Sequence, residues 1–364
     1  MKNVVHLITT IDRGGAEKQL QILVQEQIRL GYKVTIIPIK GGNELEVALR
    51  AAGADVNSLL LNKMLLKQFF SFWIYSNRNS FLLHVHLPRA ELLGAICKRK
   101  NLLIGTKHVT ELFFRERFRH LSPVISRWVT GRMNYFICIT TAVLDYMVDT
   151  RQLNPRTDRG VVHYGYDAHV SNKCAKDLGS INTTKSYRIG TVARLVPQKD
   201  LKTLLRTFSL LRNFSDSYEL EIVGRGNLKL ELEEYAKDLG IPKSSIQWTE
   251  HEQNISEFFM RVDFFVLTSK YEGFGLVLLE AMQAGIPIVA SDIAPIKEVL
   301  GSTFPTLSEV GNEVLFSENV LRLDNDAFRN SVLEHQKNQL EKFDPKVMSE
   351  KIHEIYSDII KKHY

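Results

Sequence analysis

Residues 1–39, MKNVVHLITTIDRGGAEKQLQILVQEQIRLGYKVTIIPI, decide the fold. Residues 3–9 are an apolar run of strand length, and 10–15 form a polar turn closing on two glycines. From 16 to 30, Ala16, Leu20, Leu23, Val24 and Ile28 recur at helical spacing, and Gly31 stops the helix just past its end. Residues 33–39 then read as a β-branched strand. Strand, helix and strand in this order make a βαβ unit, which demands a parallel sheet and a right-handed crossover.

Similar units continue outward. Strands are expected at 81–87, 102–108, 135–140 and 161–163, with helices at 90–98, 123–130 and 141–149. Between 167 and 185 the period lapses into SNKCAKDLGSINTTK-type polar sequence, read as a linker. A second series follows: strands at 187–193, 218–224, 264–268 and 286–291, and helices at 200–212, 228–239 and 276–284. The tail from Asp326 is helical and charged. The expected layout is a domain at 1–166, the linker, and a domain at 186–345, with 346–364 left as a terminal helix. Ligands of such sheets bind beyond the C-terminal strand ends.

With 364 residues, 44% hydrophobic and 24% charged, the chain has material for two cores. Its net charge of +6 fits an anionic ligand, an anionic membrane surface or nucleic acid. Zinc-finger spacing, RNA-binding aromatic signatures and long Lys/Arg blocks are missing, so no nucleic-acid partner is expected. Cys97, Cys138 and Cys174 are far apart and odd in number, which points to a reducing, cytoplasmic setting. His6, Asp12 and Arg13 spoil residues 1–15 as a signal peptide. The greasiest stretch, LLLNKMLLKQFFSFWIY at 59–75, carries Lys63 and Lys67 and falls short of a membrane span. It is read as a buried crossover helix, the other reading being a helix that touches a membrane.

The densest chemistry lies at 269–287, SKYEGFGLVLLEAMQAGIP. After a strand, a loop presents Glu272, Gly273, Phe274 and Gly275, and a helix starts at Leu276. Glycines let a backbone approach a ligand, and a helix start suits a diphosphate. Glu280, eight residues after Glu272, is a charge among apolar neighbours and wants a partner. In GTVARLVPQK, 190–199, Arg194 and Lys199 are placed to form a diphosphate clamp. Gly14, Gly15 and Glu17 open the first helix, and Gly224 with Gly226 ends another strand. His84 and His86 point the same way on one strand, but a third metal ligand is not evident. His108 ends the next strand, and FFRERFRH at 113–120, with Arg115 and Arg117, is either an acceptor guide or a solvated loop.

EGFGLVLLE, with its continuation EAMQAGIPIVAS, resembles the E-x7-E motif of the retaining glycosyltransferases of GT-B type, the glycogen-synthase-like glycosyl transferases group 1. The resemblance covers nearly the whole chain and is densest from Gly190 to Pro295. It implies two Rossmann-like α/β domains facing each other across a cleft, with 346–364 returning to the first. It implies that Glu272 and the amides of Gly273, Phe274, Gly275 and Leu276 contact a donor sugar, that Glu280 holds ribose, and that Arg194 and Lys199 bind the diphosphate. Gly14 and Gly15 would face the donor and Gly224 the base. Glu17, His86, Arg115 and Arg117 would lie on the acceptor side, with His108 near the transferred sugar. The implied partners are a nucleotide sugar, UDP favoured, and a glycan or lipid-linked acceptor. No cofactor and no metal are implied, and the setting is cytoplasmic or peripheral on the inner membrane face. Two departures stand out: Tyr164 replaces the usual Asn before Gly165, and Trp248-Thr249 runs into Glu250 where glycine is usual. The rival readings are a sugar-nucleotide epimerase of the same architecture, a nucleotide-binding regulator, and a dinucleotide oxidoreductase. The last lacks G-x-G-x-x-G after the first strand.

Overall fold

The computed structural model describes residues 2–12, 14–113, 119–166, 186–250 and 255–363. The polypeptide divides into two compact units, Met1–Asp167 with Phe343–Tyr364, and Ala168–Lys342.

Unit 1 runs β1 (Asn3–Ile8), α1 (Gly15–Arg29), β2 (Lys33–Pro38), α2 (Glu46–Ala51), β3 (Asp55–Val56), α3 (Leu65–Arg78), β4 (Leu82–His86), α4 (Pro88–Cys97), β5 (Leu102–Lys107), α5 (Ser122–Gly131), β6 (Tyr135–Cys138), α6 (Thr141–Asp149) and β7 (Arg159–Val161). Among the described residues, its strands form one sheet ordered β3-β2-β1-β4-β5-β6-β7. Every pairing is parallel. The central strands are buried on both faces, as a helix-covered parallel sheet requires. Order reverses between β1 and β4, so the loops after these strands diverge there and leave a crevice.

Unit 2 runs β8 (Tyr187–Val192), α7 (Leu201–Phe214), β9 (Tyr218–Val223), α8 (Lys229–Asp238), β10 (Ile246–Thr249), α9 (Ile255–Arg261), β11 (Phe264–Leu267), α10 (Leu276–Gln283), β12 (Ile288–Ser291), α11 (Ala294–Leu300), β13 (Leu307–Ser308), α12 (Glu313–Arg322) and α13 (Asp326–Leu340). Its described strands are ordered β10-β9-β8-β11-β12-β13, again all parallel, with the reversal between β8 and β11. The last helix, α14 (Pro345–His363), belongs to unit 1 and packs on α1. It buries Ile352, Tyr356 and Ile359 in the same core as Leu20, Leu23 and Val24 of α1.

The structure corrects the sequence reading in several places. The strand expected at 161–163 lies earlier, at Arg159–Val161, because pairing with β6 sets its register and not its own hydrophobicity. The short elements α2, β3 and α9 carry too few residues to show a period. The stretch at 59–75 does yield a crossover helix, α3, but that helix is not buried. Gln68, Phe72 and Ser76 face inward, while Leu66, Phe70 and Ile74 are exposed. The proposed linker at 167–185 lies outside the described residues.

Candidate functional site

The loops that follow β8 and β11 flank the switch point of unit 2 and are tied to each other. Thr268 Oγ1 donates to the carbonyls of Lys199 and Asp200, both at 3.1 Å. The Lys270 amide donates to Gln198 O at 2.9 Å, and the Gln198 side chain donates to Tyr271 O at 2.9 Å. These bonds bring Lys199 onto Glu272: the Lys199 ammonium donates to Glu272 Oε1, which also accepts from Ser269 Oγ at 2.7 Å. Both charges are largely withdrawn from water, with 13% and 7% of their side chains exposed. Two residues seventy-three positions apart thus form one unit of the site.

Around this pair, Gly275 caps α10 in the left-handed region at φ 87°, so the chain turns sharply into the helix whose N-terminus carries partial positive charge. The Phe274 side chain is buried in the core, so what Phe274 can offer a ligand is backbone. Leu276 and Glu280 are half-buried along α10, and Arg194 is exposed at the end of β8. The structure places Arg194 on the same strand-end loop as Lys199 but gives it no described ion-pair partner.

Gly224 closes the third side. Its φ is +148°, and a Cβ there would lie 1.9 Å from the Ala193 carbonyl oxygen. Its amide donates to Thr249 O at 2.8 Å, so the unusual Trp248-Thr249 end of β10 still meets the glycine turn. Glu250 beyond it pairs with Lys229 at 2.9 Å. Gly224→Ala is expected to cost about 1–3 kcal/mol in strain and to splay the two strand ends. Melting of unit 2 should fall, and a wild-type melting temperature would show that this turn tolerates a side chain.

In unit 1, Gly14 precedes α1, and the Glu17 carboxylate folds back over it, 2.3 Å from where a Gly14 Cβ would lie. Burial, aided by the Asp12 charge, raises the Glu17 carboxyl above its usual range. Gly15 begins the helix itself. Arg13, Arg115 and Arg117 lie outside the described residues.

His108 follows β5 and is buried, with both ring nitrogens engaged. Nδ1 meets Tyr164 Oη at 2.6 Å and Nε2 meets His86 Nδ1 at 3.1 Å. Tyr164, a departure from the family pattern, is therefore a partner of the very histidine the pattern singles out. Burial, and secondarily the Lys107 charge, holds His108 down to about 3. It is a neutral imidazole at physiological pH, and any contact of its ring nitrogens with a sugar must displace Tyr164 or His86.

The chain of bonds goes deeper. His86 Nε2 meets His6 Nδ1 at 2.9 Å, and His6 Nε2 meets Gln27 Oε1 at 2.8 Å. Gln27 donates to Tyr356 Oη at 3.2 Å, which meets His84 Nδ1 at 2.6 Å, and His84 Nε2 meets Thr106 Oγ1 at 2.7 Å. His6 supplies the third imidazole beside His84 and His86 that the sequence did not reveal, with ligand-capable atoms within 4.8 Å of one another. Each of these six ring nitrogens already has a hydrogen-bond partner, so the cluster satisfies itself as a polar core. Beside it, a small cavity walled by Leu20, Leu23 and Ile137 reaches His86, His108 and the Gln19 side chain. The Gln19 amide is buried, with neither its oxygen nor its nitrogen bonded to a described residue.

Two α/β units, each a parallel sheet whose strand order reverses at a switch point, have the architecture of the GT-B type. HepE of Anabaena, whose crystal structure holds UDP-glucose, superposes with a TM-score of 0.78 at 18% identity over 98% of this chain and 99% of that one. Residues 178–342 match the family model of glycosyl transferases group 1. An uncharacterized glycosyltransferase of Haemophilus influenzae is 31% identical over 303 residues, 81% of this chain and 82% of its own length. The lipopolysaccharide core biosynthesis mannosyltransferase LpsB of Rhizobium meliloti is 25% identical over 187 residues, 50% of this chain. That match spans about half of LpsB, 48%. The chain belongs to the glycosyl transferases group 1 family and is a glycosyltransferase.

Proposed function

We propose that the protein transfers a hexosyl or N-acetylhexosaminyl group from a nucleoside diphosphate sugar, UDP favoured, to a glycan or lipid-linked acceptor, with retention and without metal, in bacterial surface polysaccharide synthesis. The observation that carries this reading is the Lys199–Glu272 pair held by Ser269 and Thr268 at the switch point of unit 2. It sets a cation and a carboxylate side by side, one suited to a diphosphate and the other to sugar hydroxyls. Arg194 and the N-terminus of α10 add positive charge, and such groups can neutralise a leaving diphosphate as a metal ion does elsewhere. In the reaction, the anomeric carbon–phosphate oxygen bond breaks and a bond to the acceptor oxygen forms on the same face. The acceptor proton passes to the departing phosphate oxygen. In unit 1, His108 is held neutral by burial and has both ring nitrogens bonded, to Tyr164 and His86, so we assign it no proton transfer.

UDP-glucose in HepE and the lipopolysaccharide role of LpsB support the donor and the setting. Among the described residues no helix is long and apolar enough to cross a membrane. We place the work at the cytoplasmic face of the membrane. Metal-free calorimetry with UDP, GDP, ADP and NAD tests the donor. One nucleoside diphosphate should bind the wild type, and an Arg194→Ala/Lys199→Ala variant of verified fold should lose it. Binding of NAD alone, or of nothing, would overturn the reading.

A further inference from the structure

Unit 1 carries a face that the sugar chemistry does not use. In α3, Leu66, Phe70 and Ile74 recur every four residues and stack along one side of the helix. Leu66 is 73% exposed and Phe70 57%. In α5, Val124 and Trp128 repeat the spacing at 68% and 48% exposure. The helix between them, α4, packs on both and adds exposed Ile96. Large side chains gathered on neighbouring helices mark an interaction surface, whereas scattered ones would not.

Cations are interleaved with them. Lys67 on α3 and Arg127 on α5 are exposed, and Arg99 stacks over the Trp73 ring at 5.2 Å. Residues 57–144 hold 13 Lys and Arg against 3 Asp and Glu, a net +10 in a chain whose total is +6. No acidic residue at all falls between Asp55 and Glu91. The basic excess of the protein is therefore concentrated in the part of the chain that exposes these apolar side chains.

We propose that this face docks on an anionic lipid bilayer, its apolar side chains entering the headgroup boundary and its cations meeting lipid phosphates. A second copy of the chain is the poorer occupant, because two faces of the same positive sign repel. An acidic protein would satisfy the cations but needs an apolar surface of its own. The inference deepens the membrane-side reading given above and rests on it for purpose. Its evidence lies in α3, α4 and α5, apart from the nucleotide loops.

The test is co-sedimentation of the full chain with vesicles of phosphatidylcholine alone or mixed with phosphatidylglycerol, with UDP calorimetry in parallel. Binding to the mixed vesicles only, released near 1 M salt where the screening length falls to about 3 Å, is expected. Leu66→Ser/Phe70→Ser and Lys67→Ser/Arg127→Ser should each weaken partition by about tenfold or more while UDP affinity is unchanged. Equal binding to both vesicle types, no binding, wild-type binding by the variants, or a dimer that these substitutions dissociate would each overturn the docking face. If vesicles fail and UDP still binds, the docking inference falls and the transferase reading stands. If vesicles bind and UDP does not, the docking face stands and the transferase reading falls.

Discussion

Lys199→Ala is expected to lower turnover by roughly 100- to 1,000-fold, the loss that follows removal of one donor worth about 2.7–4 kcal/mol to a developing anion. The expectation from sequence is that the fold survives this change. The burial of the Lys199–Glu272 pair adds a cost in stability to that expectation. Without Lys199, Glu272 loses the cation that its carboxylate touches, while it keeps the Ser269 hydroxyl and stays 7% exposed. Removing one member of a buried pair costs up to about 3–5 kcal/mol, the upper end applying where the remaining charge finds no other partner. Stability and turnover should therefore fall together in the single variant.

A double-variant cycle separates the two effects. In Lys199→Ala/Glu272→Gln the stranded charge is gone, and the Gln amide can still accept from Ser269 Oγ. Urea midpoints should recover most of the lost stability, while turnover should stay at the level of the worse single variant. Recovery of turnover along with stability would mean that Lys199 only props the loop and does not act on the diphosphate. The two residues share one contact, so their energies should not add.

The parallel sheets were legible because their strands and helices are long enough to show period. The β1–α1–β2 unit reads from Val4, Leu20, Leu23 and Ile36 alone. α2 and β3 were not, since six and two residues carry no period. The site was legible only in halves. Lys199 reads as a diphosphate cation and Glu272 as a carboxylate before a helix start, but nothing local says that two strand-end loops seventy-three residues apart are stitched through Thr268. The histidine network was invisible for the same reason. His6 meets His84 and His86 because β1 and β4 pair in register, and Tyr356 arrives from α14, 272 residues beyond His84. Lys63 and Lys67 did show that the stretch at 59–75 is not a membrane span. Which side of α3 faces water depends on its packing against α4, which no pattern in the helix itself records.

That histidine network makes unit 1 sensitive to acid. Burial holds His6 down to about 4 and His108 to about 3, and burial with the neighbouring imidazoles' charges holds His84 and His86 well below their ordinary value. An unfolded chain titrates these rings near 6.5. Between the folded and unfolded values the unfolded state binds more protons, so stability is full above about pH 7 and is lost as pH falls through about 6.5 toward the folded values. Each ring contributes up to about 1.4 kcal/mol per pH unit, so the upper limit for four together is about 5.5 kcal/mol per unit. Glu17 and Glu91 act in the opposite sense. Burial raises both carboxyls, so their ionisation opposes folding at neutral pH, and that cost is relieved as they protonate in acid. Trp73 and Trp128 lie in unit 1 and Trp248 in unit 2, so a Trp248→Phe background makes fluorescence report unit 1 alone. Urea unfolding in that background should lose several kcal/mol between pH 7.5 and 5.5. His6→Gln should be less stable at pH 7.5 yet show a slope shallower by about one proton. Equal stability at the two pH values, with no change of slope in His6→Gln, would mean that these rings titrate in the folded protein as they do in the unfolded chain, and the buried hydrogen-bonded chain from Gln27 to Tyr164 would have to be abandoned.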